Sequence, residues 1–264
     1  VVTTTPGSYT PPNWDEFTFG IWTPWWWEYG YSRVGSIGPR REETKVETFQ
    51  GRTDAAGAHY LNIALGALDP PQPTKVTAEA SVMDVNRQAW AASTQILVHP
   101  ADLYVGLRSG RTFVEKGDPI LVDGIVVDLD GNVMVERDIE MRAVRLEWKW
   151  VKGEWQQVEA DEQLCNVTSA AEPVTCRFDT PQGGTYRIVT TIYDDQGRRN
   201  ITQLTRWVSG AERPSSDTVE QERVELIPDK QTYQPGDTAE ILVQAPFTPA
   251  EGLFTVQRDG LVTS

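Results

Sequence analysis

One block of this sequence occurs twice, and the repetition narrows the available folds more than any other feature. In YVGLRSGRTFVEKGDPILVDGIVVD, Tyr104 to Asp128, an apolar strand ends at Arg108 and a Gly-containing turn follows. Phe113 then points inward, and Gly117-Asp118 reverses the chain before Ile120, Val122, Ile125 and Val127. VELIPDKQTYQPGDTAEILVQAPF, Val224 to Phe247, has the same order: a short strand, an aromatic at Tyr233, a turn at Gly236-Asp237, then alternation through Ala239, Ile241 and Val243. Each block predicts strand, turn, strand. Glycine takes the positive φ of the turn without steric conflict, and the following Asp can bond nearby backbone. Phe113 and Tyr233 are expected to cap the core. The copies start about 120 residues apart, the size of an immunoglobulin-like sandwich, which predicts a tandem array of one β-module.

The rest of the chain agrees. Helical periodicity is nearly absent, β-branched residues are frequent, and 21 Gly and 17 Pro punctuate the 264 residues. The fold class expected is all-β, with tandem fibronectin- or immunoglobulin-like β-sandwich modules. Residues 1–100 read as one such module lacking its N-terminal strands, with Val1 and Val2 the tail of a strand. Residues 101–211 read as a complete module with its junction at His99-Pro100. The polar run at 212–222 reads as a linker, and 223–264 as the first strands of a third module. The start at Val1, with neither Met nor a signal sequence, reads as a piece of something longer. A net charge of −14 disfavours nucleic acid and anionic membranes as partners, and no apolar run approaches the 18 residues of a membrane span.

Cys165 and Cys176 flank an Ala-Glu-Pro turn within alternating residues. That pattern predicts a hairpin with one cysteine on each arm, bridged in an oxidising compartment. Trp22, Trp25, Trp26 and Trp27 crowd around Pro24. They form either an exposed patch able to stack on sugars or partner proteins, or the packing between modules, and the second is preferred because Pro24 interrupts any strand there. The strand Val144, Leu146, Trp148, Trp150 is expected to be half-buried, and His59-Tyr60-Leu61-Asn62-Ile63-Ala64-Leu65 alternates as a further strand.

Candidate chemistry is sparse. His59 and His99 lack the company of a base or a metal site, and no phosphate loop, zinc spacing or nucleophile elbow occurs. Asp128, Asp130 and Asn132 resemble a calcium loop only superficially, since Gly131 and Ile139 fall at the wrong positions. A hairpin turn accounts for them. Asn166-Val167-Thr168 and Asn200-Ile201-Thr202 match the glycosylation sequon. No catalytic, metal or cofactor site is expected, and no enzymatic activity.

The stretch Asp229-Lys230, Tyr233, Pro235-Gly236-Asp237-Thr238-Ala239, Gln244-Ala245-Pro246-Phe247 and Leu253-Phe254-Thr255-Val256-Gln257-Arg258 resembles the opening of the bait-region domain of bacterial alpha-2-macroglobulins. Val82, Asp84, Asn86-Arg87-Gln88, His99-Pro100, Tyr104-Val105-Gly106-Leu107 and Trp207-Val208-Ser209-Gly210 are similar to the macroglobulin-like modules preceding it. The resemblance implies a scaffold segment of a secreted or periplasmic endopeptidase inhibitor that traps proteases after bait cleavage. The partners implied are those proteases, met through the full-length protein, and neighbouring modules of the same chain. The family's Cys-x-Glu-Gln thioester motif is missing, because Glu162-Gln163-Leu164-Cys165 has the letters in another order. The alternatives are an extracellular adhesin or carbohydrate-binding array using the tryptophan patch, and an accessory sandwich of a secreted hydrolase.

Overall fold

The computed structural model describes residues 1–26, 44–64, 71–84, 86–151, 154–211, 224–245, 247, 249–257 and 261–263. The chain is built of strands, as the alternation predicts, and among the described residues no helix is long and apolar enough to cross a membrane. Trp27 and the expected linker 212–222 lie outside the described residues.

The first sheet contains β1 (Val2–Pro6), β2 (Lys45–Glu47), β3 (Thr74–Met83) and β4 (Ala89–Val98) in the antiparallel order β2-β1-β3-β4. Val2 lies inside this sheet, opposite Ala78 on β3. Residues 59–64 form no strand and Tyr60 is 83% exposed. Alternation makes a strand only where a sheet edge accepts it.

Eight strands follow: β5 (Leu103–Arg108), β6 (Phe113–Val114), β7 (Ile120–Asp128), β8 (Asp138–Val151), β9 (Glu154–Thr168), β10 (Val174–Phe178), β11 (Gly184–Tyr193) and β12 (Arg199–Val208). They form a sandwich of two sheets, β10-β7-β5 and β6-β12-β11-β8-β9. Leu103, Val105, Leu107, Val122 and Val126 from one sheet meet Met141, Ile188, Leu204 and Val208 from the other, all essentially buried. This is the inward phase of a period-2 pattern.

The cysteines are bonded to each other, but not across a hairpin. β9 pairs with β8 and β10 with β7, so the bridge joins the rims of two different sheets. Local alternation shows two strands with a turn between them; whether they pair or cross to the opposite sheet depends on partners far away in sequence. β8 also departs from expectation. A bulge at Ala143/Arg145 shifts its register, and beyond Leu146 only β9 accompanies it. Trp150, expected on a buried face, is therefore 61% exposed.

Four turns share one design, three of them reversing the chain at the end of a strand. Asp54, Asp84, Asp128 and Asp194 each accept backbone N–H groups from two and four residues on through Oδ1. The residue three places on is left-handed: Gly57, Arg87, Gly131 and Gly197, at φ of 79°, 65°, 83° and 74°. The aspartate carboxylate satisfies backbone donors that a three-residue loop would leave open, which is why Asp begins each turn. This closes Asp128 to Asn132 as a turn, with the Asn132 amide donating to Asp128 Oδ2 at 2.9 Å.

β13 (Glu225–Pro228) pairs with β14 (Ile241–Gln244), and β15 (Val256–Gln257) with β16 (Leu261–Thr263).

Candidate functional site

The repeated Gly-Asp turns have the same geometry. Asp118 N donates to Glu115 O and Asp237 N to Gln234 O, both at 3.0 Å, with Gly117 and Gly236 third in the turn at φ of 98° and 97°. Pro235 occupies the second place, which its fixed φ suits. The flanking aromatics differ. Phe113 stands four residues before its glycine and is 7% exposed in an apolar cluster. Tyr233 stands three before, and its hydroxyl donates to Asp229 Oδ1 at 2.6 Å with Lys230 over its ring. The two rings therefore have different surroundings, Phe113 among apolar side chains and Tyr233 between Asp229 and Lys230. Asp237 Oδ2 accepts from Gln234 N and Lys230 Nζ, while at the first turn the Asp118 carbonyl accepts from Thr180 Oγ1 at 2.6 Å.

Phe113 leads to an aromatic constellation at one end of the sandwich. It packs with Trp207 and Ile227, and Trp22, Trp26 and Leu242 close around them. The cluster lies between the end of the sandwich and the β13–β14 pair. Polar contacts fix the same junction: Thr112 N donates to Asp229 O at 2.8 Å, Thr112 Oγ1 donates to Pro228 O, and Arg111 pairs with Glu240. Trp26 Nε1 reaches Glu225 Oε1 at 3.4 Å. Burial alone would raise the Asp229 carboxyl, but the Tyr233 hydroxyl, the Glu240 N–H and Arg111 hold it below its ordinary range.

Three of the four tryptophans picked out in the sequence thus come together, with Trp207 as a fourth ring. Trp22 stands edge-on to Trp25 and to Trp207 at 6.0 Å between centroids, and Trp25 stands edge-on to Trp26 at 4.6 Å. Edge-to-face packing is favoured among rings that pack on one another. A sugar platform needs an open ring face, and here Trp22 and Trp26 turn toward the junction.

Arg206 escapes the sequence reading although its phase reveals it. It lies on β12 between Leu204 and Val208, both in the core, and is 5% exposed. Its guanidinium sits 4.9 Å from the Trp22 centroid, Nη1 donates to Thr205 O at 2.7 Å, and Nε has no hydrogen-bond partner. Burial pushes its pKa down to about 10, so it stays charged at neutral pH, held in part by the ring face.

The Trp22 end of this cluster belongs to a strap. Thr18 exchanges both backbone hydrogen bonds with Leu107 on β5, and Gly20 and Trp22 bond Gln203 on β12. Residues 18–22 therefore bridge the two sheets on the side opposite the disulfide. Asn200 Oδ1 accepts from Val105 N at 3.0 Å and Thr202 Oγ1 donates to Val105 O at 2.6 Å, fastening β12 to β5 beneath the strap. The second sequon is thereby a structural clamp, with Asn200 2% exposed. Tyr9, Trp14 and Phe17 before the strap, with Phe19 within it, cover the outer face of β5 and β7 at Tyr104, Ile125 and Val127. His99 joins this layer, its Nδ1 2.8 Å from the Tyr104 hydroxyl.

No protein-family model matches the chain. A curated alpha-2-macroglobulin homolog from Nostoc sp. (strain PCC 7120) is 24% identical over 98% of this chain, which spans 13% of that protein's length. Among solved structures, trypsin-activated alpha-2-macroglobulin from Escherichia coli matches 99% of this chain and 18% of its own, at 18% identity and a TM-score of 0.50. The native conformation of the E. coli protein matches 93% of this chain and 16% of its own, at 18% identity and a TM-score of 0.48. The chain is thus similar in sequence, along nearly its whole length, to a stretch of a bacterial alpha-2-macroglobulin homolog, and it shares an all-β fold with the corresponding stretch of the E. coli structure.

Proposed function

We propose that this chain is a scaffold segment of a secreted or periplasmic endopeptidase inhibitor, which traps a protease after the protease cuts a bait segment. The observation that supports this most directly is the aromatic junction. Phe113, Trp207, Ile227, Trp22 and Trp26, with the Thr112 and Arg111 bonds, couple the sandwich to the following β-pair without a swinging joint. A trap must pass a local cut on to a large rearrangement, and rigid units meeting through packed interfaces do so better than beads on a flexible string. The role is mechanical. Residues 101–211 would act as one module, the first sheet as part of the module before it, and β13 and β14 as the start of the bait-bearing domain. Cys165, Cys176, Gly117 and Gly236 would serve as structural elements.

The test uses the full-length protein incubated with trypsin. Trapping predicts that trypsin keeps its activity on a small chromogenic peptide while losing it on casein. Activity kept on both substrates, or lost on both, would overturn the reading. Ile227→Asp in the same protein should lower the trapped fraction without abolishing folding, since the sandwich core does not include Ile227.

A further inference from the structure

The β8–β9 ribbon runs on past the end of the sandwich. Thr185 on β11 is the register partner of Trp207 on β12 and of Leu146 on β8, so these three lie in one row on one face of the five-stranded sheet. β11 begins one residue before this row and β12 ends one residue after it. From Glu147 to Val151, β8 continues with β9 alone, as an arm reaching about 17 Å beyond the row. That is the end at which Phe113 and Trp207 receive Ile227 and the β13–β14 pair.

The arm has two unlike faces, because side chains two apart share a face of a strand. Arg145, Glu147 and Lys149 share one. There Glu147 pairs with both cations, and Arg145 also holds Asp161 at 2.6 Å. Leu146, Trp148 and Trp150 share the other, which continues the face that carries Trp207. Leu146 and Trp148 are half-buried, while Trp150 is 61% exposed and has Trp155 as its register partner. A two-stranded ribbon standing alone is marginal in water, and charge satisfies only one face of this one. An aromatic stripe that grows out of an occupied interface marks a further contact.

Position narrows the occupant. The root of the arm at Leu146 is two strand spacings, about 10 Å, from Trp207. A β-domain of about 100 residues has a radius of gyration of about 13 Å, so one seated on Phe113 and Trp207 is wide enough to reach the arm. Being tethered, it meets the arm at a high effective concentration. The stretch after β14 already presents apolar side chains, with Phe247 62%, Leu253 80% and Phe254 47% exposed.

We propose, resting on the reading of β13 and β14 as the start of the next domain, that the Trp148–Trp150 face of the arm is a second docking point for that domain. One contact leaves a neighbour free to turn about it, and a second removes that freedom. The domain is then gripped at the Phe113–Trp207 cluster and again at the arm, with apolar side chains seated against the two rings.

The test places the photo-crosslinking residue p-benzoylphenylalanine at position 150 of the full-length protein and locates the crosslinks by peptide mass spectrometry. Position 150 is outside the sandwich core, so the replacement leaves the fold intact. The crosslinks expected are within one molecule, to the domain that follows Val224. Crosslinks between two molecules, to a domain elsewhere in the chain, or to nothing would each overturn the proposal. Hydroxyl-radical footprinting checks it without substitution. Trp150 should oxidise at least about fivefold more slowly in the full-length protein than in the 264-residue chain, with Trp207 slow in both. Equal oxidation of Trp150 in the two would overturn the proposal. Trypsin trapping is scored separately: the crosslink without trapping would leave this contact standing and sink the inhibitor reading, and trapping without the crosslink would do the reverse.

Discussion

Gly131 and Gly197 allow the docking of the N-terminal segment to be weighed separately from the conformational preference of a turn. They occupy the same place in the same Asp-initiated hairpin turn, at φ of 83° and 74°. A Cβ on Gly197 meets nothing within 4 Å, whereas a Cβ on Gly131 would overlap the Pro12 carbonyl oxygen. Alanine at 197 bears only the left-handed penalty of a β-carbon, about 1 kcal/mol. Alanine at 131 bears the same penalty and must also push Pro12 off the turn. The Trp14 Nε1 bond to Gly131 O and the Tyr9 hydroxyl bond to Leu129 O then go, at about 1 kcal/mol each. Gly131→Ala should therefore destabilise the sandwich by about 3 kcal/mol, and Gly197→Ala by about 1 kcal/mol. Urea titrations followed by tryptophan fluorescence and by far-UV circular dichroism give both values. Asparagine sharpens the comparison, because it tolerates the left-handed region but keeps its Cβ. Gly197→Asn should be nearly neutral and Gly131→Asn should not. Equal losses at the two positions would refute the idea that the N-terminal segment contributes to the stability of this sandwich.

Arg87 takes the left-handed place that glycine holds in the other three turns, at φ 65°. Arg87→Gly should stabilise the β3–β4 hairpin by about 0.5 kcal/mol, the relief of strain exceeding glycine's added freedom when unfolded, and should slow exchange of the Asp84 amide; unchanged or faster exchange would contradict this. Replacing both Cys165 and Cys176 with Ser should lower stability by about 3 kcal/mol. Reductant should reproduce that loss in the natural chain and do nothing to the double variant, and an unmoved midpoint under reductant would show the bridge to be energetically idle. For Asp194, burial alone would raise the carboxyl, but the N–H groups of Arg198 and Asp102 and the Arg198 guanidinium outweigh it and hold the pKa below the ordinary range. A depressed folded value means the contribution is complete above about pH 4 and is lost as pH falls through the folded pKa. Thermal melts from pH 6 to pH 2 should show a shallower acid limb in Asp194→Asn than in the natural chain; parallel limbs would argue against it.

The turns were the most legible part of this fold. Asp followed three places on by Gly is a local signal, and so is Gly-Asp after a short strand, because neighbouring residues alone satisfy the chemistry. Pairing across distance was less legible. The cysteine arms look like a hairpin because alternation records each strand's own faces and says nothing of its partner. The layer over β5 and β7 left a trace in Tyr104-Val105 and Ile125-Val126-Val127. Consecutive apolar residues there mean that both faces are covered, by the opposite sheet on one side and by Tyr9, Trp14, Phe17 and Phe19 on the other. Arg206 could have been found by the same reasoning, as a charged residue in the buried phase of β12. Tyr233 could not, since the repeat matches it to Phe113 and only the folded chain sets it between Asp229 and Lys230.

The two long margins of the sandwich are fastened by different means. One carries a covalent bond between β9 and β10, and the other a length of main chain laid across β5 and β12 by a few hydrogen bonds. Under load such an object behaves like a bound book: the spine holds and the fore-edge parts. Opening would begin at residues 18–22, carry Trp22 away from Arg206, and uncover a buried cation together with two unpaired strand edges. Tension on the chain before Tyr9 pulls on that fore-edge, so the N-terminal segment sets the direction in which this unit can give way.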